Sequence, residues 1–487
     1  MKDKKGEDVK VLYDVIVVGA GVIGSALARE LSKYQLSVCV LEKENDVAMG
    51  ATKANSGIIH GGFDPEPGTL KAKMNVAGVP LIYKAAKELN VPFKQCGSMV
   101  CAFSDQEAET VRELYNRGLI NGVEGMQLLN KEEALAIEPM LSTNLCLALL
   151  VPSAGIICPY KLAIAAMGNA MDNGTVLIRN FNIDKIEKND NCFEVTSADG
   201  KNVKGRFLIN CAGSYSDVIA RKAGDDFFTI IPRNGEYLLL DKTEGNTVSR
   251  TIFQVPGVEG KGILVSPTVD GNLLTGPTAV AVDSPESNNI TQNGIAKVIQ
   301  QAKKSVPNVN FRQVITSFAG VRASEKNADF IIKASENIEG LVHAAAIDSP
   351  GLTSCFAIAQ YVIDILKENG LTLIKKDNWD PIRENTDAFR EMSYEEKDSY
   401  IKEHPEYGKI VCRCEGVSEG EILDAIKRNP RAFDVDSVKR RTRAGMGRCQ
   451  GGFCMPYVME LIARENNVAL EEVTKKGSGS YIVTGKI

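Results

Sequence analysis

The chain has 487 residues, enough for two or three domains around a large core, and its 44% hydrophobic and 24% charged residues are the balance of a globular protein. Its 57 basic and 62 acidic side chains leave a formal net charge of -5, with no basic excess to neutralise the phosphates of a nucleic acid. No apolar run is long enough to span a bilayer, and the highly charged start, Met1 to Lys10, is not that of a secretory leader; the twelve cysteines are therefore expected to be thiols or metal ligands in a reducing compartment.

The first elements are predicted from apolar periodicity. Tyr13 to Val18 is a buried strand, Ser25 to Tyr34 a helix, and Ser37 to Leu41 a second strand ended by Glu42. Short β-like runs then alternate with amphipathic helices such as Asp105 to Asn121 and Asn293 to Val306. A strand at Val342 to Ala346 leads through Ser349-Pro350-Gly351 into a helix, Thr353 to Glu368. From Lys375 to Lys409 the chain is polar, holds its single tryptophan, Trp379, and reads as a connector lying on the main body. A compact unit follows from Ile410 to about Thr474, and the glycine-rich tail from Gly477 to Ile487 is expected to be loose.

Gly19-Ala20-Gly21-Val22-Ile23-Gly24 has the G-x-G-x-x-G pattern between the first strand and the first helix. Gly19 permits the tight turn, Gly21 lets the backbone approach a pyrophosphate, and Gly24 lets helix and strand pack closely. The helix N-terminus supplies N–H groups and positive dipole to the phosphates, and Glu42 can accept hydrogen bonds from a ribose. The pattern alone leaves FAD and NAD both open. Cys412 and Cys414 form C-x-C, and Cys449 and Cys454 form C-x4-C among Gly445, Gly447, Gly451 and Gly452. Four thiolates suit zinc or iron–sulfur; the C-x-C spacing favours a [2Fe–2S] cluster over structural zinc. Arg413, Arg440, Arg441, Arg443 and Arg448 are expected to offset the charge of such a cluster. The other eight cysteines are read mostly as small buried hydrophobes.

Further phrases follow in order: Thr52-Lys53-Ala54-Asn55-Ser56-Gly57-Ile58-Ile59-His60, Asn210-Cys211-Ala212-Gly213, Gly320-Val321-Arg322, and Ser349-Pro350-Gly351-Leu352-Thr353. Together with the dinucleotide turn they resemble the D-amino-acid-oxidase-like superfamily of FAD enzymes, and within it FAD-dependent glycerol-3-phosphate dehydrogenase and L-2-hydroxyglutarate oxidase. The C-terminal unit resembles the bacterioferritin-associated-ferredoxin-like [2Fe–2S] domain. The resemblance implies an α/β (α+β) fold: a Rossmann-like FAD-binding domain interleaved with an antiparallel-sheet substrate domain over residues 11–370, a connector over 371–409, a small helical iron–sulfur domain over 410–474, and a tail over 475–487. It further implies FAD, with Gly19, Gly21 and Gly24 at the pyrophosphate and Glu42 at the ribose. Thr52, Ser56 and Gly57 would lie along the pyrophosphate and ribityl chain, Ile183 would present its backbone to the adenine, and Gly213 would make a second backbone approach. Gly351, Leu352 and Thr353 would turn N–H groups toward the flavin pyrimidine.

Such enzymes oxidise a C–H bearing an alcohol or amine. His60 resembles the histidine beside the flavin and is the candidate base or polariser, against a plain packing role. Of the other two histidines, His343 reads as core or cofactor shell and His404 as exposed. Arg322 is the candidate anion clamp, against a structural salt bridge, and Arg233 a weaker second. The expected reaction is oxidation of a small anionic substrate, glycerol 3-phosphate, to dihydroxyacetone phosphate. Alternatives are L-2-hydroxyglutarate, another 2-hydroxy acid or an amino acid, and, from other classes, a redox- or iron-sensing binding protein or a zinc-stabilised scaffold. A cluster in the same chain implies electron export to a protein subunit. The expected location is cytoplasmic, with a partner providing any contact to the inner face of a membrane.

Overall fold

The structure is a computed structural model that describes residues 12–189, 191–257 and 262–485; the charged start Met1 to Lys10 lies outside the described residues. The first strand, Leu12–Val18, alternates no polar residue into its buried half, as a strand covered on both faces requires. It sits between two parallel neighbours, Asn202–Asn210 on one side and Val38–Leu41 on the other. Val176–Ile178 extends the sheet beyond Val38–Leu41, and Leu341–Ala345 pairs in parallel with Asn202–Asn210. Helices Val22–Leu31, Pro159–Asp172 and Gly351–Glu368 cover one face and share its apolar core with Val15, Val17, Val40 and Val342. Ile183–Asn189, Cys192–Ser197 and Ile331–Ala334 add antiparallel strands to this sheet, whose parallel part is the expected Rossmann-like half.

A second, mostly antiparallel sheet is interleaved with the first in sequence. Its longest pair is Ile231–Leu240 against Val314–Ser324, in register from Ile231 opposite Ser324 to Leu240 opposite Val314, with an irregularity at Leu239/Leu240. Helix Gln292–Ser305 packs behind this sheet through Val298 and Ala302.

The C-terminal unit is helical, with Glu419–Lys427, Val435–Thr442 and Met455–Asn466 around Val417, Ile422, Val438, Val458 and Ile462. Local signals set these helices: Ser418 and Glu421 form a capping box, Asp434 caps the second helix, and Asn467 ends the third at φ 52°. The connector does lie on the main body: Trp379 Nε1 donates to Ser32 Oγ at 3.1 Å and its ring sits 5.3 Å from the Arg29 guanidinium. As far as Gly485 the tail corrects the expectation of looseness; Lys486 and Ile487 lie outside the described residues. Lys475 N–H donates to the Ser480 carbonyl at 2.8 Å, Thr474 bridges Tyr481, and Ile482 and Val483 pack on the core of the C-terminal unit. The apolar pair Ile482–Val483 offsets the glycines near the start of the tail.

The C-terminal unit is bolted to the main body. Asp46, fully buried, accepts from Arg440 Nη2 at 2.6 Å and from both terminal nitrogens of Arg441 at 2.8 Å. Despite burial, the Arg441 and Arg440 guanidiniums hold its carboxyl well below the usual carboxylate range. Arg443 donates to Glu415 at 2.8 Å and to Asp270 at 2.6 Å. Tyr160, from the main body, donates to Met446 Sδ at 3.4 Å. The arginines expected to offset cluster charge are thus largely committed to carboxylates at the junction; Arg413 and Arg448 are exposed. The reason is desolvation: Asp46 and Glu415 are buried there and need cationic partners.

A flavin cavity and a paired-thiol centre

One cavity of about 1750 Å³ runs from the dinucleotide turn to the long strand pair of the second sheet. Gly19, Gly21, Glu42, Thr52, Ser56, His60, Ile183, Gly213, Arg233, Arg322, Gly351 and Leu352 all line it. Gly24, Gly57 and Thr353 are not among its lining residues.

At the dinucleotide end the backbone leaves no room for side chains. A Cβ on Gly19, which has φ +99°, would stand 2.6 Å from the Cys211 carbonyl oxygen, and one on Gly24 would stand 1.9 Å from the Gly19 carbonyl oxygen. A Cβ on Gly21 would meet nothing closer than Thr52 Oγ1 at 3.4 Å, so its absence keeps open the space in front of the helix. Gly21 is the N-cap of Val22–Leu31 and gives it no side-chain cap; Val22 N–H donates to Thr52 Oγ1 at 3.0 Å. That end is an anion site of the kind a diphosphate fills. Glu42 closes the turn by accepting from Ala20 N–H at 2.7 Å and Glu44 N–H at 2.9 Å. Burial pushes its carboxyl up to about 7 against these bonds, so hydroxyl donors from a ribose would supply what water no longer does. A cavity of this volume, with a glycine cradle at one end, fits FAD.

At the other end His60 is fixed from both sides. Its N–H donates to Thr353 Oγ1 at 2.8 Å, and its carbonyl accepts from Asn75 Nδ2 at 2.8 Å. The ring stacks on Phe253 at 5.7 Å, and Nε2 is 3.2 Å from Ser349 Oγ. Thr353 therefore acts behind the wall, positioning His60, as well as opening the helix Gly351–Glu368. Arg322 and Arg233 are direct cross-strand partners on the wall facing this end. Among the described residues neither guanidinium has a hydrogen-bond or ion-pair partner, which is not the pattern of a structural salt bridge. Sequence reasoning passed over Tyr237, Phe253 and Ser349 as individual groups. Tyr237 stacks on Phe318 at 4.8 Å and its hydroxyl is 3.3 Å from Ser56 Oγ; it lies four residues after Arg233 on the same strand, and nothing local signals Phe253.

His343 is core: it is fully buried, its Nε2 is 3.1 Å from Asp225 Oδ2, and burial lowers its pKa. His404 is part-exposed against Tyr400. Of the remaining cysteines, Cys39, Cys101, Cys158, Cys211 and Cys355 are buried as expected, whereas Cys146 is exposed.

The four C-terminal thiols come as two pairs. Cys414 Sγ is 3.6 Å from Cys449 Sγ, and Cys412 hydrogen-bonds Cys454. The Cys412–Cys454 hydrogen bond, helped by N–H groups of Gly445 and Glu415, lowers the Cys412 thiol and raises that of Cys454. N–H groups of Phe453, Gly451 and Gly452 point at Cys449. Among the described residues no group of three or more His, Cys, Asp or Glu is arranged around one metal ion. Two thiol pairs suit two irons with two thiolates each better than one tetrahedral zinc. Cys412 and Cys454 are buried while Cys414 is exposed, so one edge of such a cluster faces outward.

Residues 14–365 match the family described as FAD dependent oxidoreductase, and residues 410–464 match the BFD-like [2Fe-2S] binding domain. The chain is 46% identical over 475 residues, 97% of its length and 98% of the other's, to a glycerol 3-phosphate dehydrogenase of Caloramator mitchellensis. The dithionite-reduced, FAD-bound L-alpha-glycerophosphate oxidase of Mycoplasma pneumoniae superposes with a TM-score of 0.73 at 33% identity, over 77% of this chain and 98% of that one. A mitochondrial L-2-hydroxyglutarate dehydrogenase of Nematostella vectensis is 29% identical over 72% of this chain and 90% of its own. With a flavin cavity built by the matched residues and a paired-thiol centre in the second matched segment, the chain belongs to the FAD dependent oxidoreductase family and carries a [2Fe–2S] domain at its C-terminal end.

Proposed function

We propose that this flavoenzyme oxidises glycerol 3-phosphate to dihydroxyacetone phosphate and exports the electrons through its [2Fe–2S] domain to an acceptor protein. The observation that carries the substrate is the Arg233–Arg322 pair, two arginines opposed in strand register and both lining the cavity. Like charges at opposed positions destabilise a sheet, and a phosphate dianion between them removes that cost. The glycerol 3-phosphate relative that matches nearly the whole chain, cluster segment included, supports the same choice over a 2-hydroxy acid.

Bound FAD supplies the acceptor for a hydride, and the cluster supplies one-electron carriage onward. The chain's residues do the rest. Arg322 and Arg233 hold the phosphate and orient the substrate carbon. His60, its backbone held by Thr353 and Asn75, takes the hydroxyl proton as the C–H hydride leaves. The N-terminus of helix Gly351–Glu368, through Gly351 and Leu352, favours negative charge on the reduced cofactor. Gly19, Gly21, Glu42, Thr52, Ser56, Gly57, Ile183 and Gly213 are proposed to hold FAD, and Cys412, Cys414, Cys449 and Cys454 the cluster. The proposed units remain 11–370, 371–409, 410–474 and 475–487. Twelve free thiols suit a reducing, cytoplasmic setting; no described helix is long and apolar enough to cross a membrane.

The test is an anaerobic absorbance titration of the holoenzyme. Bleaching of the flavin bands by glycerol 3-phosphate and not by L-2-hydroxyglutarate is expected. Bleaching by L-2-hydroxyglutarate alone would move the substrate to that branch.

A further inference from the structure

The C-terminal segment reaches the rim of the flavin cavity. Lys476 and Ser478 line it together with Met49, Gly50 and Lys53. The segment is seated by specific contacts. Asp436 N–H donates to the Lys475 carbonyl at 2.9 Å. Gly477 is buried at φ +93° against Asn45, where a Cβ would stand 2.8 Å from the side chain. Asp46, the next residue, is gripped by Arg440 and Arg441. The loop that follows Glu42 is thus held between the cavity and the C-terminal unit.

Two amines meet at this rim. Among the described residues neither Lys53 nor Lys476 has a carboxylate ion-pair partner, whereas the exposed Lys185, Lys201 and Lys402 each have one. Burial first, then Arg440 and last Lys476 lower the Lys53 amine, while Glu44 and Asp436 raise it. Two exposed ammonium groups on the rim of a cavity can pair with an anion bound inside it. The anion-binding helix end at Gly21 and Val22 opens onto the same cavity, and Thr52, next to Lys53, bonds Val22 N–H.

We propose that Lys476, on the tail that packs against the C-terminal unit, joins Lys53 in clamping the diphosphate of FAD, so that the flavin site is completed by a segment seated on the unit that holds the cluster. The proposal rests on the assignment of the cavity to FAD. It makes cofactor retention depend on docking of the C-terminal unit, and docking on cofactor, by the same factor.

The experiment measures FAD dissociation from the holoenzyme by the rise of free-flavin fluorescence, then rebinding of FAD and of riboflavin, which lacks the diphosphate. Cluster absorbance confirms that the C-terminal unit is intact. Lys476→Ala is expected to weaken FAD several-fold and to flatten its salt dependence, Lys476→Glu to weaken it further, and Lys476→Arg to restore it. Gly477→Val, which pushes the segment off Asn45, is expected to match Lys476→Ala. Riboflavin binding stays the same in all. Unchanged FAD affinity in Lys476→Glu would overturn the clamp, as would equal weakening of FAD and riboflavin. Failure of the wild-type protein to bind FAD would instead remove the flavin site, and the clamp with it.

Discussion

Arg233 and Arg322 occupy opposed positions in the longest strand pair of the second sheet, and both line the flavin cavity. Directly opposed residues share a face with Cβ atoms about 5 Å apart, so the two charges are held together by register rather than by attraction. Removing one should relieve repulsion in the free protein and cost binding energy with substrate. Arg322→Gln is expected to lower kcat/KM for glycerol 3-phosphate by about 2 kcal/mol, roughly thirtyfold, mainly through KM. Arg322→Lys should recover little, because an ammonium cannot make the planar double contact. Arg233, the more exposed partner, should show the smaller effect. Steady-state kinetics and melting of the same variants check both halves; a fall in melting temperature on removing Arg322 would mark it as structural.

His60→Gln is expected to slow flavin reduction by about a hundredfold or more while FAD stays bound, since the residue's proposed work is on the substrate proton. Thr353→Val removes the acceptor of the His60 N–H and should give a smaller loss in the same step. Stopped-flow absorbance separates this from later electron export.

Glu42 gives a pH dependence. Its carboxyl is raised from an ordinary 4.5 to about 7 by burial, so the folded cavity favours the neutral acid. That contribution to stability is present below about 4.5 and is lost as pH rises through about 7. Ribose hydroxyls favour the carboxylate, so FAD binding should release a proton below pH 7. FAD affinity is then expected to rise with pH up to about 7 and level off above it, and Glu42→Gln to flatten the profile. Fluorescence titration at several pH values reads both.

Asp46→Asn should loosen the C-terminal unit by about 3–5 kcal/mol, because Arg440 and Arg441 would lose their buried counter-charge. Its carboxyl is depressed, so its contribution is present above the ordinary value of 3.8 and is lost as pH falls toward the folded value. Thermal melts from pH 6 to 3 should show an acid-sensitive transition in the wild type and a lowered, flatter one in the variant.

The parts of the site that were legible are those where chemistry is written contiguously. Gly19 to Gly24 announces its turn because each glycine answers a local steric demand, and Cys412/Cys414 and Cys449/Cys454 announce themselves by spacing. The boundaries of Leu12–Val18, Gln292–Ser305 and Leu341–Ala345 shift from expectation by only a residue or so, since apolar periodicity sets them. What was hidden depends on distant segments meeting. The opposition of Arg233 and Arg322 is a matter of strand register, and the grip of Arg440 and Arg441 on Asp46 joins opposite ends of the chain. A basic run in a helix looks the same whether it faces a cluster, solvent or a buried carboxylate. The ordered tail was hidden for a like reason: its glycines suggest freedom, and only the packing of Ile482 and Val483 removes it.

The central claim is that electrons from glycerol 3-phosphate leave the flavin through the C-terminal cluster. The most direct measurement is rapid-freeze electron paramagnetic resonance of the anaerobic holoenzyme after mixing with glycerol 3-phosphate, for the wild type and Cys449→Ser. In the wild type, flavin bleaching should be followed by the signal of a reduced [2Fe–2S] centre; in Cys449→Ser the flavin should bleach at the same rate and the cluster signal should be missing. Flavin reduction with no reduced cluster in the wild type, or loss of flavin reduction along with the cluster in the variant, would contradict the account.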